Sequence, residues 1–250
     1  YQFSVSPDFP PDRISGWFIF NTWLQRTLGL PIHLELYDSF ASQRAAIQAD
    51  RIDFIYANPF DASMLVREKG FLALAKPRQR SDEALIATAV THPAQKIEDL
   101  RPGTRIATTD DPDVNMLGMI MIEPADLTDA NTTTRAVENY VLVAKDLITG
   151  NSDIGFFLAD AYDELSKLTR DRLRVLVRSQ IFDIHHVLLL GPRLAAQRAE
   201  LERLLTGMPA DAKGGSVLEA LGFTGWELLQ DEDVEFMIDL METLQPTPTQ

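Results

Sequence analysis

The stretch WLQRTLGLPIHLELYDSFASQRAAIQADRIDFIYANPFDA, residues 23–62, alternates helical and extended patterns within forty positions. Gly29 ends the first helical pattern, as glycine commonly does, and Ser39 or Ser42 can cap the second helix. Pro59 occupies a first-turn position, where its missing N–H costs nothing. The stretch therefore predicts a helix up to Leu28, a strand over 32–36, a helix up to Ala49, a strand over 54–56 and a helix over 59–69.

The same alternation continues on both sides of this stretch. Short apolar runs at 1–5, 72–75, 85–90, 105–108, 154–157, 173–177 and 186–190 have strand length, and helical patterns separate most of them. Alternating strands and helices are typical of α/β folds with mainly parallel strands. The C-terminal part is predicted to be helical over 194–205, 217–221 and 231–244, and PTPTQ at 246–250 is predicted to be a tail.

One pattern occurs twice. AIQADRIDFIYA at 46–57 and LITGNSDIGFFL at 147–158 each combine a helix end, a turn, one Asp and a short buried strand. Chance can produce such a pair, because the arrangement is common in α/β proteins. The alternative interpretation is that the chain forms two lobes of similar design.

Composition narrows the possible functions. The chain has 250 residues, of which 45% are hydrophobic, and its formal net charge is −14. That charge repels nucleic-acid phosphates, so no nucleic-acid partner is expected. There is no cysteine, which excludes disulfides and thiolate metal sites. No apolar run approaches the roughly 18 residues of a membrane-spanning helix.

Known catalytic patterns are absent from the sequence. It contains no G-x-S-x-G, Walker A, H-E-x-x-H or G-x-G-x-x-G pattern. We therefore expect a protein that is not an enzyme and has no cofactor. The chain begins at Tyr1 without an initiator Met or a signal peptide, and we interpret it as the mature form of an exported, periplasmic protein.

Three segments resemble the phosphate, phosphite and phosphonate substrate-binding proteins of ABC importers. They are residues 23–62, KIEDLRPGTRIATTDDPD at 96–113 and LITGNSDIGFFLADAYDEL at 147–165. Their order and spacing carry the match, which covers roughly residues 1–205. The resemblance implies an α/β, two-lobed periplasmic binding protein fold of type 2 with two hinge strands, near 85–90 and 186–190. Residues 1–83 plus 190–250 would form lobe I and 88–185 lobe II, with a small ligand captured in the cleft between them.

The residues with which this family binds phosphonate are changed here. A Ser-Thr-Ser run at a helix N-terminus becomes Val114-Asn115-Met116, and Asp110, Asp111 and Asp113 surround it. A family Tyr becomes Phe40. Another family Tyr aligns near Asp82 or Glu83, and a family carboxylate aligns near His185. The resemblance therefore implies that the fold is kept and that phosphonate recognition is lost.

Carried over position by position, the resemblance implies a ligand site of mixed aromatic and acidic character. Its predicted members are Ser6, Phe40, Asn58, Phe60, Asp82, Glu83, Asp113, Asn115 and His185. Aromatic faces attract cations, and a desolvated carboxylate needs a positive partner. We therefore expect a cationic or zwitterionic small molecule, or a metal ion, rather than an oxyanion.

Two alternatives on the same fold remain open. Met116 and Met119 with His185 and His186 would suit a soft metal such as copper, although methionines at such spacing usually fill a helix core. The chain could also be a sensory ligand-binding domain. The expected partner is accordingly an ABC permease or a membrane sensor.

Overall fold

The computed structural model describes residues 1–9 and 11–244, so the predicted tail at 246–250 lies outside the described residues. The chain forms two compact units, the first from Tyr1–Arg80 and His185–Glu242 and the second built on Ser81–Ile184. It is a mixed α/β protein, which confirms the predicted fold class. Within the described ranges, no helix is both long enough and apolar enough to cross a membrane.

The strands form one sheet in each unit. In chain order they are β1 (Gln2–Val5), β2 (His33–Leu36), β3 (Phe54–Ala57), β4 (Leu72–Pro77), β5 (Ala84–Ala89), β6 (Arg105–Thr108), β7 (Thr133–Ala136), β8 (Ile154–Leu158), β9 (Leu173–Arg178), β10 (Val187–Leu190) and β11 (Trp226–Leu228). Strands β7 and β11 were not predicted: β7 is polar and exposed, and β11 is only three residues long.

The described chain also contains α-helices. They are α1 (Ile14–Leu28), α2 (Phe40–Gln48), α3 (Pro59–Ser63), α4 (Pro112–Ile122), α5 (Tyr140–Ile148), α6 (Ala159–Glu164), α7 (Lys167–Arg170), α8 (Arg198–Gly207), α9 (Ala212–Leu221) and α10 (Asp231–Leu244). A π-helical turn, Met64–Glu68, continues α3. Short 3-10 helices lie at Pro11–Arg13, Ile97–Asp99, Glu123–Ala125, Pro192–Gln197 and Met208–Ala210.

The two sheets share one strand plan. The first has the order β2-β1-β3-β10-β4-β11 and the second the order β7-β6-β8-β5-β9. In each, the first three strands are parallel and the next two are antiparallel to their neighbours. The chain passes between units at Arg80–Ser81 and Ile184–His185. The strands predicted as hinges therefore lie inside sheets, β5 in the second and β10 in the first, and the crossings come just ahead of them.

The repeated sequence pattern has one structural role in both units. Asp53 accepts the backbone N–H of Gln2 at 2.8 Å, and Asp153 accepts that of Arg105 at 2.8 Å. Asp53 thus joins the start of β3 to the start of its parallel neighbour β1, and Asp153 joins the start of β8 to the start of β6. An arginine pairs with each carboxylate, Arg193 with Asp53 and Arg105 with Asp153. The repeat therefore stabilises the N-terminal ends of the parallel strands in both sheets.

Aromatic packing dominates the core of the first unit. Phe3 on β1 contacts Phe54 with a centroid distance of 5.0 Å and Phe20 with one of 5.8 Å. Trp17 lies 4.8 Å from Tyr56, again between ring centroids. Such pairs contribute about 0.5–1.5 kcal/mol beyond the burial of their area. This core holds the strands whose carboxyl ends carry the candidate site residues.

Candidate functional site

The carboxyl ends of β1 and β3 lie at one edge of the first sheet because these strands are parallel neighbours. Ser6 and Asp8 follow β1, and Asn58 follows β3. His186 precedes β10, which runs antiparallel to β3, so it reaches the same edge. Open α/β sheets bind ligands at this edge. We call Ser6, Asp8, Asn58 and His186 the unit 1 edge.

A buried polar network occupies the unit 1 edge. Nε2 of His186 lies 2.9 Å from Oδ2 of Asp8, and Nδ2 of Asn58 donates to the same oxygen at 2.8 Å. The other side-chain atom of Asn58, Oδ1, accepts the N–H of Phe60 at 2.9 Å and so caps α3. Tyr56 stacks on the imidazole of His186, with 5.1 Å between ring centroids. Asn58 is thus both a helix cap and a network member.

The charge state of Asp8 follows from these contacts. Burial alone would raise its pKa, but the charge of His186 and the hydrogen bonds from His186 and Asn58 outweigh burial. The pKa of Asp8 is therefore below its ordinary value of 3.8. The unit 1 edge carries a carboxylate at neutral pH.

The aromatic pair predicted for ligand contact already has a cation beside it. The guanidinium of Arg44 lies 5.3 Å from the ring centroid of Phe40 and 5.5 Å from that of Phe60. Its Nε also pairs with Asp61 at 2.6 Å. Phe40 is almost completely buried. A ligand that used these rings would share them with Arg44, and their role in binding stays a prediction.

His185 and His186 have different neighbours. His185 is buried, and its Nδ1 lies 3.2 Å from the carbonyl oxygen of His186. Burial and the positive charge of Lys76 lower the pKa of His185 to about 4. Its imidazole is therefore neutral at physiological pH, whereas the ring of His186 faces Asp8. The two rings thus have different partners, and metal binding by His185 and His186 with Met116 and Met119 stays a prediction.

In the second unit, the corresponding edge follows β6 and is acidic. Asp111 immediately precedes α4 and Asp113 lies in its first turn, and their exposed fractions are 1% and 0%. The hydroxyl of Tyr140, at the start of α5, donates to Oδ2 of Asp111 at 2.8 Å. Burial and the negative charges of Asp111 and Asp113 raise the pKa of Tyr140 well above 10. We call Asp111, Asp113 and Tyr140 the unit 2 edge.

The three residues that replace the family's hydroxyl run are used inside the second unit. Val114 and Met116 are buried in α4. The amide of Asn115 accepts a hydrogen bond from the hydroxyl of Thr108 and donates to the carbonyl of Thr109 at 2.9 Å. Met119 lies one turn further along α4 and is partly buried. The run therefore serves packing and loop geometry, with Asn115 fixing the end of β6.

Glu83 and Asp82 lie just before β5. The carboxylate of Glu83 accepts the hydroxyl of Ser179 and the backbone N–H groups of Ile181 and Phe182, the latter at 2.8 Å. Burial opposes ionisation of Glu83, but these hydrogen bonds lower its pKa below 4.5. The N–H of Asp82 donates to the carbonyl of Ile184 at 2.7 Å. Glu83 thus holds the segment after β9 in place, and ligand contact by either residue stays a prediction.

Sequence reasoning did not find Asp8, Arg44 or Tyr140. A positional signal exists for Asp8, since it follows β1 as Asn58 follows β3 and Asp111 follows β6. The spacing of Phe40 and Arg44, four residues apart on α2, is a local signal for their contact. The contacts of Arg44 with Phe60 and Asp61 come from the packing of α2 on α3, which no local pattern indicates. Tyr140 stands next to the helix cap Asn139, but its bond to Asp111 links residues 29 positions apart.

The fold is that of the two-lobed periplasmic binding proteins. The structure matches a binding protein component of an ABC phosphonate transporter from Pseudomonas aeruginosa, with TM-score 0.78 and 14% identity over 98% of this chain and 86% of the other. It matches PhnD1 from Prochlorococcus marinus in complex with methylphosphonate, with TM-score 0.82 and 8% identity over 97% of each chain. A Xanthomonas citri protein bound to ATP matches with TM-score 0.77 and 14% identity, over 97% of each chain.

Residues 3–234 match the family described as the periplasmic, phosphonate substrate-binding protein of ABC transporters. The chain belongs to this family, which confirms both the predicted resemblance and the prediction that it is not an enzyme. Comparison with curated proteins gives no match. Membership establishes a substrate-binding protein, and the identity of its ligand is a separate question.

Proposed function

We propose that this substrate-binding protein delivers a cationic or zwitterionic small molecule, rather than a phosphonate, to an ABC permease. The supporting observation is the pair of buried carboxylates, Asp111 and Asp113, at the N-terminus of α4. The unit 1 edge supports the same choice with the carboxylate of Asp8. The proposal places the protein outside the cytoplasm, in keeping with its family.

The first step concerns the N-terminus of α4. A helix N-terminus carries partial positive charge and exposed N–H groups, and is a ready site for an anionic ligand. Here the chain places two carboxylates of its own at this terminus. The negative charges of Asp111 and Asp113 therefore compensate the partial positive charge of the helix N-terminus, which an anionic ligand would otherwise do.

The second step is the cost to an oxyanion. Two like charges 4 Å apart repel by about 4 kcal/mol at an effective dielectric constant of 20. A phosphonate beside Asp111 or Asp113 would be repelled by these carboxylates. It would also lack hydroxyl donors, because Val114 and Met116 have none. A protonated amine or another cation would gain the corresponding attraction.

A ligand panel with matched variants tests the proposal. Calorimetry and thermal shift would compare methylphosphonate, phosphite and phosphate with amines, amino acids, betaine-like zwitterions and metal ions including Cu(I). We expect binding within the cationic or zwitterionic group, weakened at least about tenfold by Asp113→Asn. The exposed Asp110→Asn removes the same charge nearby and should have a smaller effect. A micromolar dissociation constant for any of the three oxyanions would overturn the proposal.

Phe40→Ala tests the predicted contribution of the first unit. Because Phe40 is buried and packs on Arg44, its folding is checked first by circular dichroism. A folded Phe40→Ala protein and a folded Asp113→Ala protein that both bind the identified ligand as tightly as the parent would exclude the predicted site. Selective binding of Cu(I), lost in His185→Ala or Met116→Ala, would favour the metal-binding alternative instead.

A further inference from the structure

A groove runs along the outside of α1 in the first unit. It has a volume of about 1000 Å³, and α1, α8, α9 and the turn after α8 line it. The side chains of α1 that line it recur at helical spacing and form one stripe, namely Phe18, Ile19, Thr22, Trp23, Arg26 and Thr27. None of the residues at the unit 1 edge belongs to this groove.

The packing of α1 on α9 leaves the groove open at one end. Gly16, at the start of α1, approaches the end of α9 so closely that an added Cβ would lie 2.3 Å from the carbonyl oxygen of Ala220. The groove lies at the other end of the pair, between residues such as Arg26 of α1 and Lys213 of α9. Leu204 and the buried Met208 line it there as well.

The groove exposes apolar surface. Phe18 is 50% exposed and Ile19, its neighbour, is 46% exposed. Trp23 is partly exposed and stacks on the core residue Phe20 with 6.0 Å between ring centroids. Single exposed apolar side chains are ordinary, but a contiguous exposed patch with a polar rim marks an interaction surface.

The charge of the groove is opposite to that of the protein as a whole. Arg26, Arg203 and Lys213 line it against a single acid, Asp211, although the chain carries a net charge of −14. The carboxylate of Asp211 accepts the N–H of Gly214 and caps α9. Across the described ranges, Arg26 and Lys213 form no ion pair, and the nearest acid to Arg203 is Glu200 at 3.9 Å. The groove therefore combines apolar surface with an excess of positive over negative side chains.

We propose that this groove binds an acidic amphipathic helix of a partner protein. The stripe from Phe18 to Thr27 extends about 13.5 Å, or two and a half helical turns at 1.5 Å per residue. A groove of this length between helices suits an incoming helix whose apolar side chains recur at i, i+3, i+4 and i+7. Acidic side chains beside those anchors would pair with Arg26, Arg203 and Lys213.

A second copy of the chain fits the groove less well. Its acidic helix α10 exposes Phe236, which is 60% exposed. However, Glu235, Asp239 and Glu242 of that helix already bind Arg67 at 2.6–2.9 Å. Two chains of charge −14 also repel each other. These observations favour a separate partner.

The probes are two labelled helical peptides of about 14 residues with the same leucine anchors, one with glutamates and one with lysines on the polar face. The overall charge of the protein favours the lysine peptide, whereas the groove favours the glutamate peptide. We expect fluorescence anisotropy to show tighter binding of the glutamate peptide, by at least about tenfold, and weaker binding at high salt. Equal or tighter binding of the lysine peptide would overturn the proposal.

Two glycine variants locate the binding surface. Gly207 lines the groove, has φ −77°, and an added Cβ there would meet nothing within 4 Å. Gly207→Leu should therefore fold normally and fill the groove. Gly215 on α9 has equally open surroundings but does not line the groove, so Gly215→Leu is the matched control. We expect loss of peptide binding only in Gly207→Leu; equal binding by the two variants would place the site elsewhere.

Charge reversal completes the test. Arg26→Glu and Lys213→Glu should each weaken binding of the glutamate peptide, whereas Lys167→Glu, at a highly exposed position on α7 of the second unit, should not. If all three reversals weakened binding equally, the peptide would respond to the net charge of the protein rather than to the groove, which would contradict the proposal. Sedimentation that shows self-association abolished by Gly207→Leu would identify a second copy as the occupant and overturn the proposed partner.

Discussion

Nε2 of His186 lies 2.9 Å from Oδ2 of Asp8, and the exposed fractions of the two side chains are only 8% and 4%. The pair joins the segment after β1 to the segment before β10. A buried pair contributes little net stability when intact, but removing one partner leaves the other without compensation. The geometry of the unit 1 edge therefore depends on both residues.

Asp8→Ala should destabilise the protein by about 3 kcal/mol, because the substitution leaves the donors of His186 and Asn58 buried without their acceptor. Thermal unfolding followed by circular dichroism measures the change. Asp12→Ala, at an exposed carboxylate nearby, is the control and should change stability by less than about 0.5 kcal/mol. Equal melting temperatures for the two variants would show that the buried pair has no structural role.

His185 should make the stability of the protein depend on pH above the range in which carboxylates titrate. Its pKa is lowered from 6.5 to about 4. Between these values the unfolded chain binds a proton that the folded chain does not, so stability falls as pH decreases from 6.5 towards 4. The full loss is about 3 kcal/mol, of which about 2 kcal/mol is lost by pH 5.

The measurement is the free energy of unfolding in urea at pH 7 and pH 5. His185→Gln should reduce the difference between these two values, whereas His33→Gln, at an exposed position, should leave it unchanged. The lowered pKa of Asp8 stabilises the folded state above pH 3.8, and that contribution is lost only below this pH. An unchanged difference in His185→Gln would contradict the assigned titration.

Tyr140 and Asp111 should be energetically coupled. Tyr140→Phe removes the hydroxyl that donates to Oδ2 of Asp111 at 2.8 Å, and a hydrogen bond to a charged group contributes roughly 1.5–3 kcal/mol. A double-mutant cycle with Asp111→Asn measures the interaction through unfolding free energies. We expect a coupling of about 1–2 kcal/mol, and additive effects would show that the hydrogen bond is not formed in solution.

The alternating pattern of the sequence correctly predicted the α/β class and most of the buried strands, because short apolar runs bounded by turns indicate strands directly. It also marked Asp53 and Asp153, whose contacts recur in both sheets. Trp226 on β11 was missed because three residues are too few to form a pattern. For the candidate site, the informative signal was the position of a polar residue directly after a parallel strand, as for Asn58 after β3.

Side-chain partners distant in sequence could not be predicted. One example is the contact of Arg44 with Phe60 on the next helix, where the guanidinium lies 5.5 Å from the ring centroid. Another is Glu83, whose carboxylate accepts hydrogen bonds from residues nearly 100 positions away, while its contact with a ligand stays a prediction. Such pairings depend on how the strands are ordered, which no local window of sequence contains.

Gly118 provides the last prediction, since α4 packs closely on β8 at this residue. An added Cβ at Gly118 would lie 2.3 Å from the ring of Phe156, which is fully buried. The ring cannot move aside without displacing its neighbours, because protein interiors are close-packed. Gly118→Ala should therefore destabilise the protein by about 1–3 kcal/mol, the range for overpacked cores.

Gly215→Ala introduces the same methyl group into α9, where nothing lies within 4 Å, and should stabilise the protein by up to about 1 kcal/mol through helix propensity. Urea unfolding of both variants checks the opposite signs. If Gly118→Ala matched or exceeded the parent in stability, α4 would pack less closely on β8 than described, and the position assigned to Asp111 and Asp113 at its start would need revision.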